Sequence, residues 1–169
     1  MPRNLLVLAL GLLFSFTACG QSKRSSPTLE ANGDIDGVKI GIKYGAPSVK
    51  GREIFGKLVA YDKVWRTGAN ENTVVTFSHD VLINGEKLSA GSYGLFTTPG
   101  KNSWKIHFNQ DTDNWGAYSY KASKDVLVVE STPQSIQESV EQLRFTIISE
   151  GILLEWDKTA VNVLIQKAE

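Results

Sequence analysis

Short runs in which apolar and polar residues alternate recur along most of the chain. Between residues 38 and 44, for example, Val, Ile, Ile and Tyr alternate with Lys, Gly and Lys. A period of two is typical of a β-strand that buries one face, and similar runs occupy residues 104–109 and 160–166. These runs and the turns between them predict roughly eight to ten short strands.

Two turns indicate that neighbouring strands pair as antiparallel hairpins. Asn84-Gly85 stands between apolar runs, and both residue types tolerate the positive φ angles of a type I′ turn. Glu150-Gly151 is a second candidate turn. No helices alternate with the strands, so a parallel sheet is not expected. We therefore predict an all-β fold, a single antiparallel β-sandwich domain for which a jelly roll is one possible topology.

The first residues have the pattern of a signal peptide. Their apolar run, residues 5–16, is shorter than the roughly 20 residues that a membrane-spanning helix needs. Residues 16–19, Phe-Thr-Ala-Cys, resemble a bacterial lipobox except that Phe16 stands where Leu is usual. We expect residues 1–18 to be a lipoprotein signal peptide and Cys19 to be lipidated. The alternative is an ordinary cleavable signal with an incidental cysteine.

Lipidation of Cys19 would anchor the protein to a membrane of the bacterial cell envelope. Two or more acyl chains give stable anchoring, whereas one chain binds only marginally. Polar residues follow Cys19, so we expect a flexible tether over residues 19–34 and the β-sandwich domain over residues 35–169. No group of acids follows Cys19, which favours the periplasm-facing side of the outer membrane.

The balance of charges argues against a general attraction to polyanions. The 169 residues include 18 Lys and Arg and 18 Asp and Glu, so we expect no nucleic-acid partner. A hydrophobic content of 41% is sufficient for one packed core. Because the sequence has one cysteine, Cys19, neither a disulfide nor a thiolate nucleophile is expected in the domain.

The segment of residues 64–72 carries most of the candidate chemistry. Arginine can bind a carboxylate or a phosphate through two donors at once, so we expect Arg52 and Arg66 to bind an anion. Asn70 would contact the same ligand through its amide, and Glu71 would act as an acceptor or a base. The alternative is a structural ion pair that fixes this loop to the sheet.

Aromatic residues near the turns add a second kind of ligand contact. Trp65, Trp115 and Tyr118 offer flat apolar surfaces on which a sugar or an aromatic ligand can stack. The alternative for these three residues is ordinary packing at strand ends. Trp104 and Trp156 follow the alternation of their strands, and we assign both to the core.

The histidines do not indicate a metal site. His79 and His107 are the two histidines of the chain, and neither has a second ligand at the short spacing usual for zinc. Alternation places His107 on the polar face of its strand, so we expect both to be surface imidazoles. The sequence has no phosphate-binding glycine loop and no zinc-protease motif, and we predict neither a metal nor a cofactor.

Several stretches together resemble the bacterial family called domain of unknown function 2911. They are residues 43–56, 64–72, 90–97, 108–109 and 114–118. The family has no established activity, and its members are predicted to be secreted or lipid-anchored. The resemblance therefore implies an envelope protein without implying a reaction.

Three functions are compatible with the sequence. The first is a module that binds a small ligand, a sugar or an organic anion, in a polar and aromatic cleft. The second is an enzyme of the hydrolase or isomerase type that uses Glu71, with its pKa tuned by Arg66. The third is a structural component of the envelope. We expect the first, because no pair of base and nucleophile is visible.

Overall fold

A computed structural model describes residues 25–169, in which the strands form two sheets. The larger sheet has six strands and the smaller has four, and all of their pairings are antiparallel. Apolar side chains from both sheets form one buried cluster, so the predicted all-β antiparallel sandwich is confirmed. The predicted signal peptide and the lipidation site at Cys19 lie outside the described residues.

The order of the strands in each sheet mostly follows the sequence. The strands are β1 (Thr28–Ile35), β2 (Val38–Gly45), β3 (Thr73–Phe77), β4 (Val81–Ile83), β5 (Glu86–Leu88), β6 (Gly91–Thr98), β7 (Trp104–Asn109), β8 (Asp125–Ser131), β9 (Gln134–Ile148) and β10 (Gly151–Lys167). A short 3-10 helix, Ala122–Lys124, precedes β8. The larger sheet has the order β1-β2-β3-β6-β7-β8 and the smaller β5-β4-β10-β9. This arrangement differs from the two Greek keys of a jelly roll.

Strand β2 shows how the alternating pattern builds the core. Val38, Ile40 and Ile42 are at most 2% exposed, whereas Lys39 and Lys43 project from the opposite, outer face. Burying one aliphatic side chain of this size stabilises the fold by about 1.5–3 kcal/mol relative to leaving it exposed. The alternation at residues 38–44 therefore predicts both the strand and the face that it buries.

The two tryptophans assigned to the core lie there. Trp104 in β7 and Trp156 in β10 are each 1% exposed, so they close the space between the two sheets. Both contact the ring of Phe55 edge to face, at centroid distances of 4.9 Å and 6.0 Å. Trp65 stacks on Trp156 at 5.7 Å. Aromatic pairs of this kind add about 0.5–1.5 kcal/mol to the burial of their surface.

The predicted hairpin at Asn84-Gly85 joins β4 to β5. Both residues have positive φ angles, 48° for Asn84 and 90° for Gly85, as the turn type requires. The side chain of Asn84 also donates to the carbonyl oxygen of Glu130 in β8 at 2.7 Å, and it accepts from the amide of Leu164 in β10 at 2.8 Å. The turn residue therefore links the two sheets.

Strand β1 begins at Thr28, inside the stretch expected to be a flexible tether. Each of its residues pairs with β2, from Thr28 opposite Gly45 to Ile35 opposite Val38. Ile35 is the one fully buried residue of this strand, and Ala31 is partly buried against the core, so β1 is held by backbone hydrogen bonds and by a small inward face. Burial alternates from residue 30 to residue 35, but the inward positions before Ile35 are Ala31 and Gly33, two small residues that give little hydrophobic signal in the sequence. The folded domain consequently starts earlier than residue 35.

The connection from β2 to β3 brings the candidate segment to one end of the larger sheet. Trp65 pairs with Thr97 of β6 through two backbone hydrogen bonds, with N···O distances of 2.7 Å and 2.9 Å. Strand β3 begins at Thr73, opposite Leu95 of β6, so Trp65, opposite Thr97, continues the sheet beyond the start of β3. The residues after Trp65 then turn back to begin β3.

Candidate functional site

Two close backbone approaches shape the turn that carries the candidate residues. A Cβ atom at Gly45 would lie 2.0 Å from the carbonyl oxygen of Ala69, and one at Gly68 would lie 2.9 Å from that of Gly45. Glycine is therefore required at both positions. Thr67 and Asn70 have positive φ angles of 54° and 65°. The turn is thus packed directly against the end of β2, which fixes the positions of its side chains.

A cavity opens beside this turn, and we call it the arginine cavity. Its volume is about 350 Å³, within the usual range for small-molecule sites. Its lining includes Lys50, Arg52, Trp65, Arg66, Asn70 and Trp156, together with apolar side chains such as Leu58 and Val59. Among the described residues that line it there are three cations and no acid. The cavity is therefore suited to an anion.

Arg66 lines this cavity and has one donor without a hydrogen-bond partner among the described residues. Its guanidinium is half-buried, and its Nε atom is buried without a hydrogen-bond partner among the described residues. Burial lowers the pKa of the Arg66 guanidinium below its ordinary value, and the nearby Tyr118 acts in the opposite direction. Arginine is not deprotonated in proteins, so the group still carries its charge at neutral pH. A buried charged donor without a partner destabilises the empty site, and an anion would offset this effect.

Trp156 presents a second unused donor. It lines the arginine cavity, it is 1% exposed, and its indole Nε1 has no hydrogen-bond partner among residues 25–169. Buried indole N–H groups usually find an acceptor. The neighbouring indole of Trp65 does so, because its Nε1 donates to the carbonyl oxygen of Gly68 at 3.0 Å. Two residues that line one cavity, Arg66 and Trp156, thus each have a buried donor without a partner among the described residues.

The other predicted residues of this cavity have structural partners. Arg52 donates from Nε to the carbonyl oxygen of Val49 at 3.0 Å and from Nη2 to that of Ser48 at 2.5 Å. These bonds close the turn before Ile54. Asn70 donates from Nδ2 to the carbonyl oxygen of Ser26 at 3.1 Å. Arg52 and Asn70 therefore shape the cavity wall, whereas Arg66 retains an unused donor.

Glu71 lies elsewhere. It lines a separate groove of about 770 Å³ on the outer face of the larger sheet, which we call the outer groove. Hydroxyl and amide side chains from β1, β3 and β6 line this groove, among them Asn32, Thr76 and Ser92. Asn72 lines it as well and is held by the loop of residues 110–121, through bonds to Asp111 and Asn114. Glu71 and Arg66 therefore face different cavities.

Trp115 and Tyr118 are on the surface of the loop of residues 110–121. They are 62% and 93% exposed, and they line neither the arginine cavity nor the outer groove. Trp115 forms a backbone bridge with Glu71. The structure thus brings four of the seven predicted binding residues to one cavity, namely Arg52, Trp65, Arg66 and Asn70.

The expectation that His107 is a surface imidazole is wrong. His107 is 7% exposed and belongs to a buried polar group that we call the His107 cluster. Its Nδ1 lies 2.9 Å from Oδ2 of Asp125, and its Nε2 lies 2.9 Å from the hydroxyl of Thr98. Asn109 donates to Asp125 at 2.7 Å, and the hydroxyl of Tyr120 donates to the same carboxylate at 2.5 Å. All five side chains are therefore connected by hydrogen bonds.

The loop of residues 110–121 buries this cluster. Tyr120 packs on Phe96 with a centroid distance of 5.1 Å, and the amide of Asn109 donates to the carbonyl oxygen of Lys121 at 3.1 Å. Burial, together with the hydrogen bond and the charge of Asp125, raises the pKa of Tyr120 well above its ordinary value. Alternation correctly placed His107 on the outer face, but it carries no information about a loop that covers that face. His79, in contrast, is exposed.

Within residues 25–169, no group of three or more His, Cys, Asp or Glu side chains is arranged to hold a metal ion. Over the same residues there is no helix whose length and hydrophobicity would let it cross a membrane. A comparison with curated proteins found no match, and neither did a comparison with solved structures. A family model does match residues 26–165, which is most of the chain. The chain therefore belongs to the family described as protein of unknown function (DUF2911).

Proposed function

We propose that the protein is a lipid-anchored binding module of the bacterial cell envelope whose arginine cavity takes a small organic anion. The observation that carries the proposal is the pair of buried donors, Arg66 Nε and Trp156 Nε1, which have no partner among the described residues at a cavity lined by three cations. An anion would accept from both donors and would be attracted by the cations. The anchor rests on the lipobox-like residues 16–19.

The walls of the cavity suggest which anions fit. Leu58, Val59 and Trp65 provide apolar surface beside the charged groups. The rest of the lining is largely polar, so these apolar side chains can contact the body of a ligand while charged, hydroxyl and amide groups bind its polar atoms. We infer a carboxylate with a compact body, such as an aromatic acid or a sugar acid. Inorganic ions would leave the apolar walls uncovered.

Catalysis by Glu71 together with Arg66 has less geometric support. That mechanism requires both side chains to face one substrate, so that the guanidinium tunes the carboxylate. The two residues line different cavities. Binding is therefore the function that the arrangement supports best.

A thermal-shift experiment on the chain that begins at Cys19 tests the proposal. The probes are benzoate, citrate and glucuronate, with neutral glucose as the comparison. An anion at 100 times its dissociation constant adds about 2.7 kcal/mol to the free energy of unfolding. We expect stabilisation by at least one carboxylate, its loss in Arg66→Gln, and no response to glucose.

Arg144→Gln is the matched control. Arg144 is exposed, pairs with Glu155 at 2.7 Å and does not line the cavity. This variant should respond to the carboxylates as the wild type does. If no carboxylate raises the melting temperature, or if the increase survives Arg66→Gln, the arginine cavity is not an anion site. A response to glucose alone would instead direct attention to the outer groove.

A further inference from the structure

The residues that precede β1 form part of the wall of the arginine cavity. Ser25 and Ser26 line it directly. The carbonyl oxygen of Ser26 accepts from the side-chain amide of Asn70 at 3.1 Å, and the carbonyl oxygen of Pro27 accepts from the backbone amide of Ala46 at 2.8 Å. We call residues 25–27 the N-terminal arm. The arm is thus docked on the same turn that carries Arg66.

We propose that the N-terminal arm is a strap whose docking is coupled to the anion in the arginine cavity, so that each stabilises the other. This inference rests on the proposed function. Since the docked arm completes the wall of the cavity, an anion inside contacts a site that exists only in the docked state. A ligand that prefers the docked state must shift the arm towards docking, and docking must raise the affinity by the same factor.

The contacts of the arm make such a shift feasible. Ser25 and Pro27 are exposed, and Ser26 is half-buried. The hydrogen bonds from Asn70 and Ala46 to the arm are both accepted by its backbone carbonyl oxygens. Few buried contacts and exposed backbone hydrogen bonds are the features of segments that open locally with little change in free energy. A small free energy of ligand binding can therefore shift the arm between its docked and open states. It would not open a strand that is packed in the core.

Asn70 is the residue through which the coupling would act. Its side chain holds the arm, and its own carbonyl oxygen accepts from the amide of Gly116 at 3.0 Å. Asn70 lies four residues after Arg66 on the same turn and has a positive φ angle of 65°. The arm is also the stretch through which a lipidated Cys19 would connect to the domain. Release of the anion and release of the arm would therefore occur together.

Amide hydrogen exchange at Ala46 reports directly on docking, because this N–H donates to the arm. The experiment uses the chain that begins at Cys19, with and without saturating benzoate. We expect benzoate to slow exchange at Ala46 by roughly two- to tenfold, the range that corresponds to one net hydrogen bond. The amide of Val75, in the buried strand β3, serves as an internal comparison for effects on global stability.

Pro27→Gly tests the arm separately from the cavity, whereas Asn70→Gly, at a lining residue, removes the side chain that holds the arm. Pro27→Gly loosens the arm at a residue that does not line the cavity, and Asn70→Gly keeps a residue that tolerates positive φ while it removes the amide. Both should weaken benzoate binding by roughly two- to tenfold. Pro133→Gly, between β8 and β9, is the matched control and should bind benzoate as the wild type does.

The outcomes distinguish this proposal from the one on which it rests. If benzoate binds in an Arg66-dependent way but leaves the exchange of Ala46 unchanged, the cavity binds anions and the coupling does not exist. Tighter binding in Pro27→Gly would also overturn the proposal, since the arm would then obstruct the cavity. If no carboxylate binds, the proposed function fails and the coupling fails with it.

Discussion

Nδ1 of His107 lies 2.9 Å from Oδ2 of Asp125, and both side chains are less than 10% exposed. His107 of β7 lies opposite Val128, and Asp125 of β8 lies opposite Asn109, so the contact runs diagonally across the outer side of the larger sheet. The hydroxyl of Tyr120, in the loop of residues 110–121, donates to the same oxygen of Asp125. The pair therefore fixes the loop of residues 110–121 against the sheet, and this loop holds Asn72 and forms part of the outer groove.

Removal of the Asp125 carboxylate should destabilise the protein strongly. In Asp125→Ala, the donors of Asn109 and Tyr120 and one nitrogen of His107 lose their acceptor in a buried site. Breaking a buried pair by removing one partner commonly costs about 3–5 kcal/mol. Urea unfolding followed by circular dichroism measures the loss. Asp113→Ala, an exposed acid of the same loop, should change the free energy of unfolding by less than about 0.5 kcal/mol.

The raised pKa of Tyr120 predicts a loss of stability in alkali. In the unfolded chain this phenol ionises near pH 10, whereas in the folded protein its pKa is raised by burial and by Asp125. The folded state then holds one more proton than the unfolded state, so stability is fully present below about pH 10 and falls as the pH rises above it. Urea unfolding across this range measures the slope. Tyr120→Phe should flatten the slope while it lowers stability at neutral pH.

Tyr93 provides the comparison for that experiment. Its pKa is also raised, first by burial and then by the charge of Asp80, but its hydroxyl donates to a carbonyl oxygen of Ser89 rather than to a carboxylate. Tyr93→Phe should therefore leave most of the alkaline slope in place. An equal slope in wild type and Tyr120→Phe would show that Tyr120 ionises in the folded protein as it does in the unfolded chain.

Residues with strictly local signals could be predicted from the sequence. The alternation over residues 38–44 gives β2 and its buried face, and Asn84-Gly85 gives the β4–β5 turn, because positive φ angles favour these two residue types. The assignment of Trp104 and Trp156 follows from the same periodicity. In each case the physical cause lies within a few residues of the feature.

The relationship between Arg66 and Glu71 shows where local reasoning ends. Their proximity in the sequence suggested one polar pocket, but two residues with positive φ angles, Thr67 and Asn70, reverse the chain between them. The side chains consequently line different cavities. Likewise, burial of His107 depends on a loop that returns from elsewhere, which strand alternation does not encode.

Gly45 should not tolerate even a methyl group. A Cβ at this position would lie 2.0 Å from the carbonyl oxygen of Ala69, a backbone atom that cannot move alone. We expect Gly45→Ala to destabilise the protein by about 1–3 kcal/mol through overpacking and to displace the turn that carries Arg66. Urea unfolding and the benzoate titration measure the two effects.

Gly85→Ala is the control for backbone conformation. A Cβ at Gly85 would have no atom within 4 Å, and its positive φ angle of 90° is the one source of strain. The free energy of unfolding of this variant should fall by about 1–2 kcal/mol. It should bind carboxylates as the wild type does. If Gly45→Ala also binds normally, close contact between β2 and the turn is unnecessary for the site.

Arg52 and Arg66 should contribute differently to the free energy of unfolding of the ligand-free protein. Arg52 closes a turn with two hydrogen bonds, so Arg52→Gln should lower the free energy of unfolding by about 1 kcal/mol. Arg66 has a buried Nε without a partner among the described residues, so Arg66→Gln should leave stability unchanged or raise it. Urea unfolding in a buffer without carboxylates measures both, with the exposed Lys101→Gln as the control. Residues selected to bind a ligand commonly destabilise the empty site, whereas structural residues do not. If Arg66→Gln lowered the free energy of unfolding as much as Arg52→Gln does, the Arg66 guanidinium would stabilise the empty protein. The reason to assign Arg66 to anion binding would then disappear.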